Sequence, residues 1–314
     1  MKNIKIDTNT MRQWVLVFVM IAIGVVWTIL SPNFLTVDNL MNVVRQASYT
    51  AIASIGMTMV IIIGEIDLSA GSLIAASGLV AAFFFKTTGS SVIAIVMAIL
   101  VGAGVGLCNG ILCAKGKLPG FIATLASMTI LRALGYIITG GDPISVQDKA
   151  FTAIGTGHLG PVPIPVIIMI VCIIFGSVLL NKTRFGRYVY AVGGNAETSK
   201  WSGLRVDSIK IKVFLLMGIL TSIAGVIVAA RLGSGQPSAG QNFEMDCITA
   251  AVVGGTSMAG GKGKLFGTIV GVLLLTILVN GMTLIDVNSY WQQVIKGIII
   301  VVSVLLDTRS KSKE

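Results

Sequence analysis

Ten apolar runs, separated by short polar loops, take up most of this 314-residue chain. A helix rises about 1.5 Å per residue, so about 20 apolar residues span the hydrocarbon core of a bilayer. Only 11% of the residues are charged, whereas a soluble domain carries about 25%. Because lipid offers no hydrogen-bonding partners, the runs must be helical. The sequence therefore predicts an all-α, polytopic transmembrane helix bundle that forms a single domain over residues 1–314. The runs lie near 13–30, 47–63, 70–85, 91–108, 119–139, 164–180, 213–230, 247–258, 265–281 and 291–306.

The distribution of the 23 Lys and Arg residues predicts which loops face the cytoplasm. If the N-terminus is inside and every run crosses, the inner loops hold 17 of them and the outer loops hold 4. This imbalance is what the positive-inside rule requires. We therefore expect both termini inside and about ten crossings, or eight if the two shortest runs do not cross. The run at 13–30 is expected to be a membrane helix and not a cleaved signal, because no small-residue cleavage site follows it.

Two glycine-rich polar stretches interrupt the apolar pattern, GEIDLSAGS at 64–72 and GGTSMAGGKGK at 254–264. Each adjoins a short apolar run, so we predict short, broken helices near 64–85 and 247–264. Irregular backbone at membrane depth is tolerated where it lines a cavity or is buried in protein, and transporters place binding sites there. The candidate gate residues of the second stretch are Gly254, Gly255, Gly260 and Gly261.

Two carboxylates in the first stretch are candidates for the translocation path. Glu65 and Asp67 adjoin an apolar run, and an ionised Asp at membrane depth costs roughly 2.5–3.5 kcal/mol, so it needs a function or a partner. The functional interpretation is a polar cavity wall or gate that includes Ser69. The alternative is that Asp67 and Ser69 cap the helix that follows, where a carboxylate complements the helix dipole.

A few polar side chains inside the apolar runs complete the candidate path. Arg132 lies in the middle of a run, where it either faces the path or snorkels to the outer surface. Asn109 and Thr124 either line the path or form hydrogen bonds between helices. For Lys296, which follows an aromatic pair that anchors at the interface, snorkelling is the better explanation.

The loop at 181–212 carries seven Lys and Arg residues but only two acids. Asn195 can cap a short helix there, Glu197 falls in its first turn, and Gly203 supplies a left-handed end. A helix of about seven residues is marginal in water, so it must pack against its own bundle or in the groove of a partner. The size and charge of the loop favour the partner. We predict a cytoplasmic docking element for a soluble motor, with Arg187, Asn195, Glu197 and Gly203 as coupling residues.

Other classes of function lack the residues that they need. The net charge of +10 sits in short loops between apolar runs, so no nucleic-acid partner is expected. One histidine, and four cysteines without ligand spacing, predict neither a metal site nor a disulfide. The stretch TSMAGGKG at 256–263 departs from a phosphate loop at both ends and follows no strand. This chain is therefore expected to bind no nucleotide or other cofactor and to have no catalytic residues.

Four long blocks carry a resemblance to a known family. They are GEIDLSAGSL at 64–73, NGILCAKGKLPGFIATL at 109–125, TRFGRYVYAVGGNAETSKWSGL at 183–204 and QPSAGQNFEMDCITAAVVGGTSMAGGKGKLFGT at 236–268. With these blocks in order, residues from about 33 to 306 resemble the membrane permease subunit of bacterial ATP-binding-cassette (ABC) importers for monosaccharides. Within this group of ribose, xylose and related sugar permeases, the ribose permeases look nearest.

The resemblance implies an inner-membrane permease that translocates a ribose-like monosaccharide by alternating access. It implies a second permease copy or homologue, a cytosolic ABC ATPase that holds ATP and Mg, and a periplasmic or lipid-anchored sugar-binding protein. Membrane lipid surrounds the permease itself. It also implies that Glu197 to Gly203 contacts the ATPase, with Thr198 and Ser199 in place of the usual alanines. Glu65 stands where the family commonly has glycine, and Gly120 where it commonly has proline.

Three alternatives belong to other classes. A proton-coupled secondary sugar transporter would use Glu65 and Asp67 as a proton relay. A branched-chain amino-acid permease belongs to the same broad superfamily as the resemblance. A membrane enzyme such as a lipid transferase would need clustered acids at a membrane face, and the sequence has no such cluster.

Overall fold

A computed structural model describes the backbone of residues 8–311 and the side chains of residues 14–305. Within this range the chain forms thirteen α-helices and four two-residue strands. The helices are α1 (Thr8–Leu30), α2 (Val37–Ile62), α3 (Ala70–Thr88), α4 (Ser91–Ala114), α5 (Gly120–Thr139), α6 (Lys149–Thr156), α7 (Ile164–Lys182), α8 (Arg184–Gly194), α9 (Ala196–Trp201), α10 (Val206–Leu232), α11 (Phe243–Val253), α12 (Leu265–Leu284) and α13 (Ser289–Lys311). The strands are β1 (Ile144–Ser145), β2 (His158–Leu159), β3 (Val162–Pro163) and β4 (Ser234–Gly235).

Six of the described helices are long and apolar enough to cross a membrane. They are α3, α4, α5, α7, α10 and α12. Four strands of two residues each form only two small antiparallel pairs, β1 with β4 and β2 with β3. The predicted class, a polytopic bundle of membrane helices, is confirmed.

The predicted breaks in the helices are present, but one helix beside them is not short. The chain leaves helical geometry between α2 and α3, and α3 then runs for 19 residues to a left-handed cap at Gly89. The apolar run ends near residue 85, but Lys86 and two threonines continue the helix past it, so a short helix here was a wrong prediction. By contrast, α11 has only 11 residues, as the sequence predicts.

Helix α2 lies at the centre of the bundle, packed against α7, α10, α11 and α12. Every side chain from Ala51 to Ile63 is buried. A helix that is surrounded by protein can carry small polar side chains, because they find partners there. The hydroxyl oxygens of Thr58 and Thr268, on α2 and α12, lie 2.8 Å apart.

Helices α4 and α10 form the most extensive pair in the bundle. Gly102 and Gly106, four residues apart on α4, face the backbone of α10. A Cβ atom on either glycine would overlap the carbonyl oxygen of Gly218 or Phe214. The absence of side chains at these positions therefore lets the two backbones approach closely, as is common between membrane helices.

Contacts between distant segments group the helix ends into two faces. On one face, which we call the Lys210 face, Lys210 near the start of α10 pairs with Glu65, and Gly261 N donates to Ile62 O at the end of α2. On the other, the Arg45 face, Arg45 contacts His158, and β1 after α5 pairs with β4 after α10. Helices α2, α5 and α10 therefore each run from one face to the other.

Lys296 on α13 does not snorkel. Its Nζ lies 2.7 and 2.9 Å from the two carboxylate oxygens of Asp246 on α11. The expectation of snorkelling was wrong because a carboxylate from a helix 50 residues earlier lies within reach. This ion pair fixes α13 to the start of the short helix α11.

Candidate translocation path and coupling surface

Asp67 is the centre of a buried polar turn between α2 and α3. Its side chain is 2% exposed, and its Oδ1 accepts hydrogen bonds from Ser69 N at 2.7 Å and Ser69 Oγ at 2.6 Å. Ser69 precedes α3, but its own side chain makes no capping hydrogen bond. Asp67 therefore stabilises the turn in which it lies. Neither it nor Ser69 caps the first turn of α3 through its side chain, so the structure differs from the capping alternative.

The buried turn is joined to α4 and α5 through side-chain hydrogen bonds. Asn109 Nδ2 of α4 donates to Ser69 Oγ at 3.1 Å, and Ser127 Oγ of α5 donates to Asn109 Oδ1 at 2.5 Å. Thr124 Oγ1 of α5 accepts from Leu68 N at 2.9 Å. The structure thus brings Asp67, Ser69, Asn109 and Thr124 together, as hydrogen bonds between segments. Buried networks with their partners satisfied hold segments in one relative position.

Glu65 joins the same turn to α5 and α10. Its Oε1 lies 2.5 Å from Lys210 Nζ, and its Oε2 accepts from Gly120 N at 2.8 Å. A proline at position 120 would have no N–H to donate, and a Cβ there would lie 2.6 Å from Glu65 Oε2. Gly120 therefore both donates to Glu65 and leaves room for its carboxylate.

The glycine stretch at 254–264 lies between α8 and the end of α2. A Cβ on Gly254 would overlap the backbone of Gly267, and Gly255, Gly260 and Gly261 adopt positive φ values of 91°, 83° and 72°. A Cβ on Gly260 would meet Gly193 O, Gly64 N and Ile62 O within 3.1 Å. Gly260 and Gly261 therefore make a close backbone contact between α8 and the segment that leads to Asp67, whereas Gly254 packs on α12. None of the four glycines joins the Asp67 hydrogen bonds.

Tyr190 of α8 strengthens this contact. Its Oη donates to Gly263 O at 2.8 Å. Burial raises the pKa of the Tyr190 phenol above its ordinary value, so the hydroxyl stays protonated and can donate.

Arg132 lies on α5, apart from the Asp67 turn. Its Nη1 donates to Pro237 O at 2.6 Å and to Ala239 O at 2.7 Å, in the loop between α10 and α11. The side chain thus does not snorkel to the surface. It borders a cavity that Tyr136 and Glu244 also line.

The loop at 181–212 contains two helices where the sequence predicts one. Asn195 ends α8 and caps α9, because its Oδ1 accepts from Thr198 N at 2.8 Å. Gly203 follows α9 with a φ of 81°, and Glu197 and Arg187 are exposed. The local geometry of the predicted short helix is as expected, while α8 was missed.

Helix α8 could have been found from its pattern. Thr183 caps it through a hydrogen bond from Gly186 N to Thr183 Oγ1 at 3.2 Å. Val189 and Val192 are buried, while Arg184 and Arg187 are exposed. A threonine cap followed by apolar residues at helical spacing is typical of an amphipathic surface helix.

A basic groove of about 460 Å³ adjoins the exposed side of α9. Lys115 at the end of α4 and Lys200 on α9 line it together with Arg205 and Lys212. Asp207 is the one acid among its lining residues. This combination of an exposed helix and a cationic groove offers a binding surface for a partner with acidic side chains.

Comparison with protein families decides the class. The family described as the permease component of a branched-chain amino acid transport system matches residues 39–304. The chain belongs to this permease family. It is accordingly a multi-pass protein of the bacterial inner membrane, and transport, not catalysis, is the activity of its class.

Individual relatives of this permease cover nearly its full length. It is 43% identical to the ribose import permease of Escherichia coli K12, over 96% of this chain and 95% of the relative. It is 41% identical to the ribose import permease of Bacillus subtilis, over 92% and 90% of the two chains. The xylose transport permease of Haemophilus influenzae is 35% identical over 94% and 96%. No solved structure matches this permease.

Proposed function

We propose that this permease is the membrane-spanning subunit of an ATP-driven importer that carries a ribose-like monosaccharide by alternating access. One observation carries the mechanism: α8 touches the segment before Asp67 through the glycine stretch at 254–264. A movement of α8 is thereby passed to a buried turn that joins α3, α4 and α5. The relatives named for ribose and xylose support a sugar as the substrate. The contact of α8 supports coupling of transport to a cytosolic ATPase.

Ten crossings with both termini in the cytoplasm agree with these contacts. The six apolar helices are joined by α1, α2, α11 and α13, and the Lys210 face becomes the cytoplasmic face. The basic loop at 181–212 and the glycine stretch then lie inside, as the positive-inside rule favours. The short length of α11 fits a helix that is broken inside the bundle and closed by protein.

A separate cytosolic ATPase would drive this movement. It would hold ATP and Mg itself, and this chain would bind no cofactor. The docking surface would be α9 with Arg187, Glu197 and the basic groove, and Asn195 and Gly203 would fix the shape of α9. Trp201 is 89% exposed at the end of α9 and offers a large apolar side chain to a partner.

Two further partners would complete the importer. A second permease copy, or a homologue, would cover part of the apolar surface of α5, where Ile137 and Ile138 are more than 70% exposed. A periplasmic or lipid-anchored sugar-binding protein would dock on the Arg45 face. Supplying the sugar from such a receptor allows the permease itself to bind it weakly.

The alternatives are less well supported. The family description names branched-chain amino acids, but the relatives at 35–43% identity are named for ribose and xylose. A proton relay through Glu65 and Asp67 is disfavoured because Glu65 is paired with Lys210 and Asp67 is closed by Ser69. Glu65, Asp67 and Ser69 instead form an ion pair and hydrogen bonds that hold neighbouring segments of the bundle together.

The test is reconstitution of the chain with its ATPase and receptor in proteoliposomes. We expect labelled ribose to accumulate when ATP is present on the cytoplasmic side, and we expect a pH gradient without ATP to drive none. Leucine in place of ribose is the control for the amino-acid alternative. Uptake that follows the pH gradient without ATPase, or that prefers leucine, would contradict the proposal.

A further inference from the structure

An open cavity lies between α5 and the loop that leads into α11, lined by Met128 and Ala133 and by six polar side chains. Its volume is about 450 Å³, within the range of about 300–1,000 Å³ that small-molecule sites occupy. Its polar lining comes from Thr129, Arg132 and Tyr136 of α5 and from Gln241, Asn242 and Glu244. None of these residues takes part in the contacts between α8 and the Asp67 turn.

The charges of this cavity suit a neutral ligand. Arg132 is engaged by the carbonyl oxygens of Pro237 and Ala239, and the opposite charge of Glu244 acts on it across the cavity. Glu244 is 7% exposed, and its Oε2 lies so close to Gly71 that a Cβ there would overlap it. One cation and one anion leave the cavity without net charge, so a neutral ligand is not disfavoured there, and hydrogen bonding must distinguish a sugar from a zwitterion.

The hydrogen-bonding groups of the cavity suit a polyol. Arg132 and the amides of Gln241 and Asn242 offer donors, and Glu244 and the Thr129 hydroxyl offer acceptors. A sugar hydroxyl both donates and accepts, so it can bond to either kind of group. Tyr136 is 38% exposed and adds an apolar ring face and a phenol to the same cavity.

The backbone at Asn242 is held in a costly conformation at the edge of this cavity. Its φ is 61°, in the left-handed region that disfavours residues with side chains, although Asn enters it more readily than most. It occupies the N-cap position of α11, yet its side chain makes no capping hydrogen bond. The amide instead donates to Gln293 Oε1 of α13 at 3.5 Å, which leaves its second N–H for a ligand. The backbone carries strain here, as at many binding sites.

The cavity is connected to the Asp67 turn. The Glu244 carboxylate contacts Gly71, in the first turn of α3, two residues after Ser69. A ligand that bonds to Glu244 therefore acts on the start of α3, which the hydrogen bonds of Asp67 hold from the other side. A conformational change at the turn would alter the cavity, and binding in the cavity would bias the turn.

We propose that this cavity is a low-affinity monosaccharide site, in which Arg132 and Glu244 bond to sugar hydroxyls and Tyr136 covers a ring face. The proposal rests on the proposed function and deepens it, because it names where in the permease the sugar is held. The sugar would occupy it after leaving the receptor and before passing the Asp67 turn.

Two threonines of α5 give a matched test. Thr129 lines the cavity and Thr139 does not, yet each donates its hydroxyl to the carbonyl four residues earlier. We would place cysteine at each position in a Cys108→Ala background, because Cys108 is the exposed one of the four cysteines. The measurement is the rate of labelling by a water-soluble thiol reagent on full-length chain in membranes, with D-ribose or L-leucine added.

We expect ribose, but not leucine, to slow labelling of Thr129→Cys severalfold and to leave Thr139→Cys unchanged. In the reconstituted complex, Glu244→Gln should lower ribose uptake by about tenfold or more, since losing a hydrogen bond to a charged group weakens binding by roughly that factor. Thr139→Val should take up ribose at the rate of the unmodified complex.

Two outcomes separate failure of this site from failure of the proposed function. ATP-driven ribose uptake by the unmodified complex, with equal or no protection at the two cysteines, would overturn the site and leave the function standing. Absence of ribose uptake by the unmodified complex would overturn the function itself. Unchanged uptake by Glu244→Gln would also overturn the site, because the proposal requires Glu244 to bond to the sugar.

Discussion

At the scale of single residues, Glu65 is the clearest case of a side chain whose role only the structure reveals. A carboxylate beside an apolar run suggested a gate or a proton relay, and its partners are a lysine 145 residues away and a backbone amide. A charge near membrane depth is tolerated when it is paired. Glu65 therefore connects the start of the Asp67 turn to α5 and α10.

Removing Glu65 should destabilise the permease. In Glu65→Ala, Lys210 and the N–H of Gly120 lose their partner, and we expect the free energy of unfolding to fall by about 1–3 kcal/mol. In Glu65→Gln an acceptor for Gly120 remains and only the charge is lost, so the fall should be smaller. The measurement is thermal unfolding of the purified chain in detergent. Equal unfolding midpoints for Glu65→Ala and the unmodified chain would contradict this role.

At the scale of elements, α9 is a very short helix that depends on its two ends. Asn195 satisfies an amide at its start, and Gly203 N donates to Lys200 O at its end with a φ of 81°. Six residues give too few internal hydrogen bonds for stability in water. The shape of the docking surface therefore depends on these two positions.

Gly203→Pro should abolish ATP-driven uptake while the chain still inserts in the membrane. Proline fixes φ near −65° and removes the amide hydrogen, so neither the turn nor its hydrogen bond can form. Gly203→Asn is the matched control, because asparagine adopts left-handed conformations more readily than other residues with side chains. We would measure ribose uptake and copurification of the ATPase. Full uptake by Gly203→Pro would show that α9 does not couple the two proteins.

How much of these elements the sequence predicts depends on how local the signal is. The cap at Asn195, the end at Gly203 and the apolar runs depend on residues within one or two turns, and they were predicted. The partners of Arg132 and Lys296 lie 105 and 50 residues or more away, and the sequence gives no local sign of them. Both were therefore assigned in part to snorkelling, which needs no partner. Glu244 and Tyr136 were missed for the same reason, since only the fold brings them beside Arg132.

At the scale of the whole molecule, a route of backbone contacts leads from the coupling surface of the permease to its centre. Gly193 of α8 meets Gly260, and Gly261 N donates to Ile62 O at the end of the buried helix α2. The next residues lead to Glu65 and the Asp67 turn, which is bonded to α4 and α5. Close backbone packing without side chains transmits a displacement well, because there is little that can rearrange in between.

Two neighbouring glycines test this route. A Cβ on Gly193 would overlap Ile62 O and approach Gly261 N, whereas a Cβ on Gly194 would meet nothing within 4 Å. We therefore expect Gly193→Ala to assemble with the ATPase and hydrolyse ATP but to take up ribose at least about tenfold more slowly, which corresponds to about 1.4 kcal/mol. Gly194→Ala should transport normally. The measurement is the ratio of ribose taken up to ATP hydrolysed in proteoliposomes. If the two variants gave the same ratio, force would have to reach the Asp67 turn by another path, since the substitutions differ only in whether α8 can keep its contact with α2.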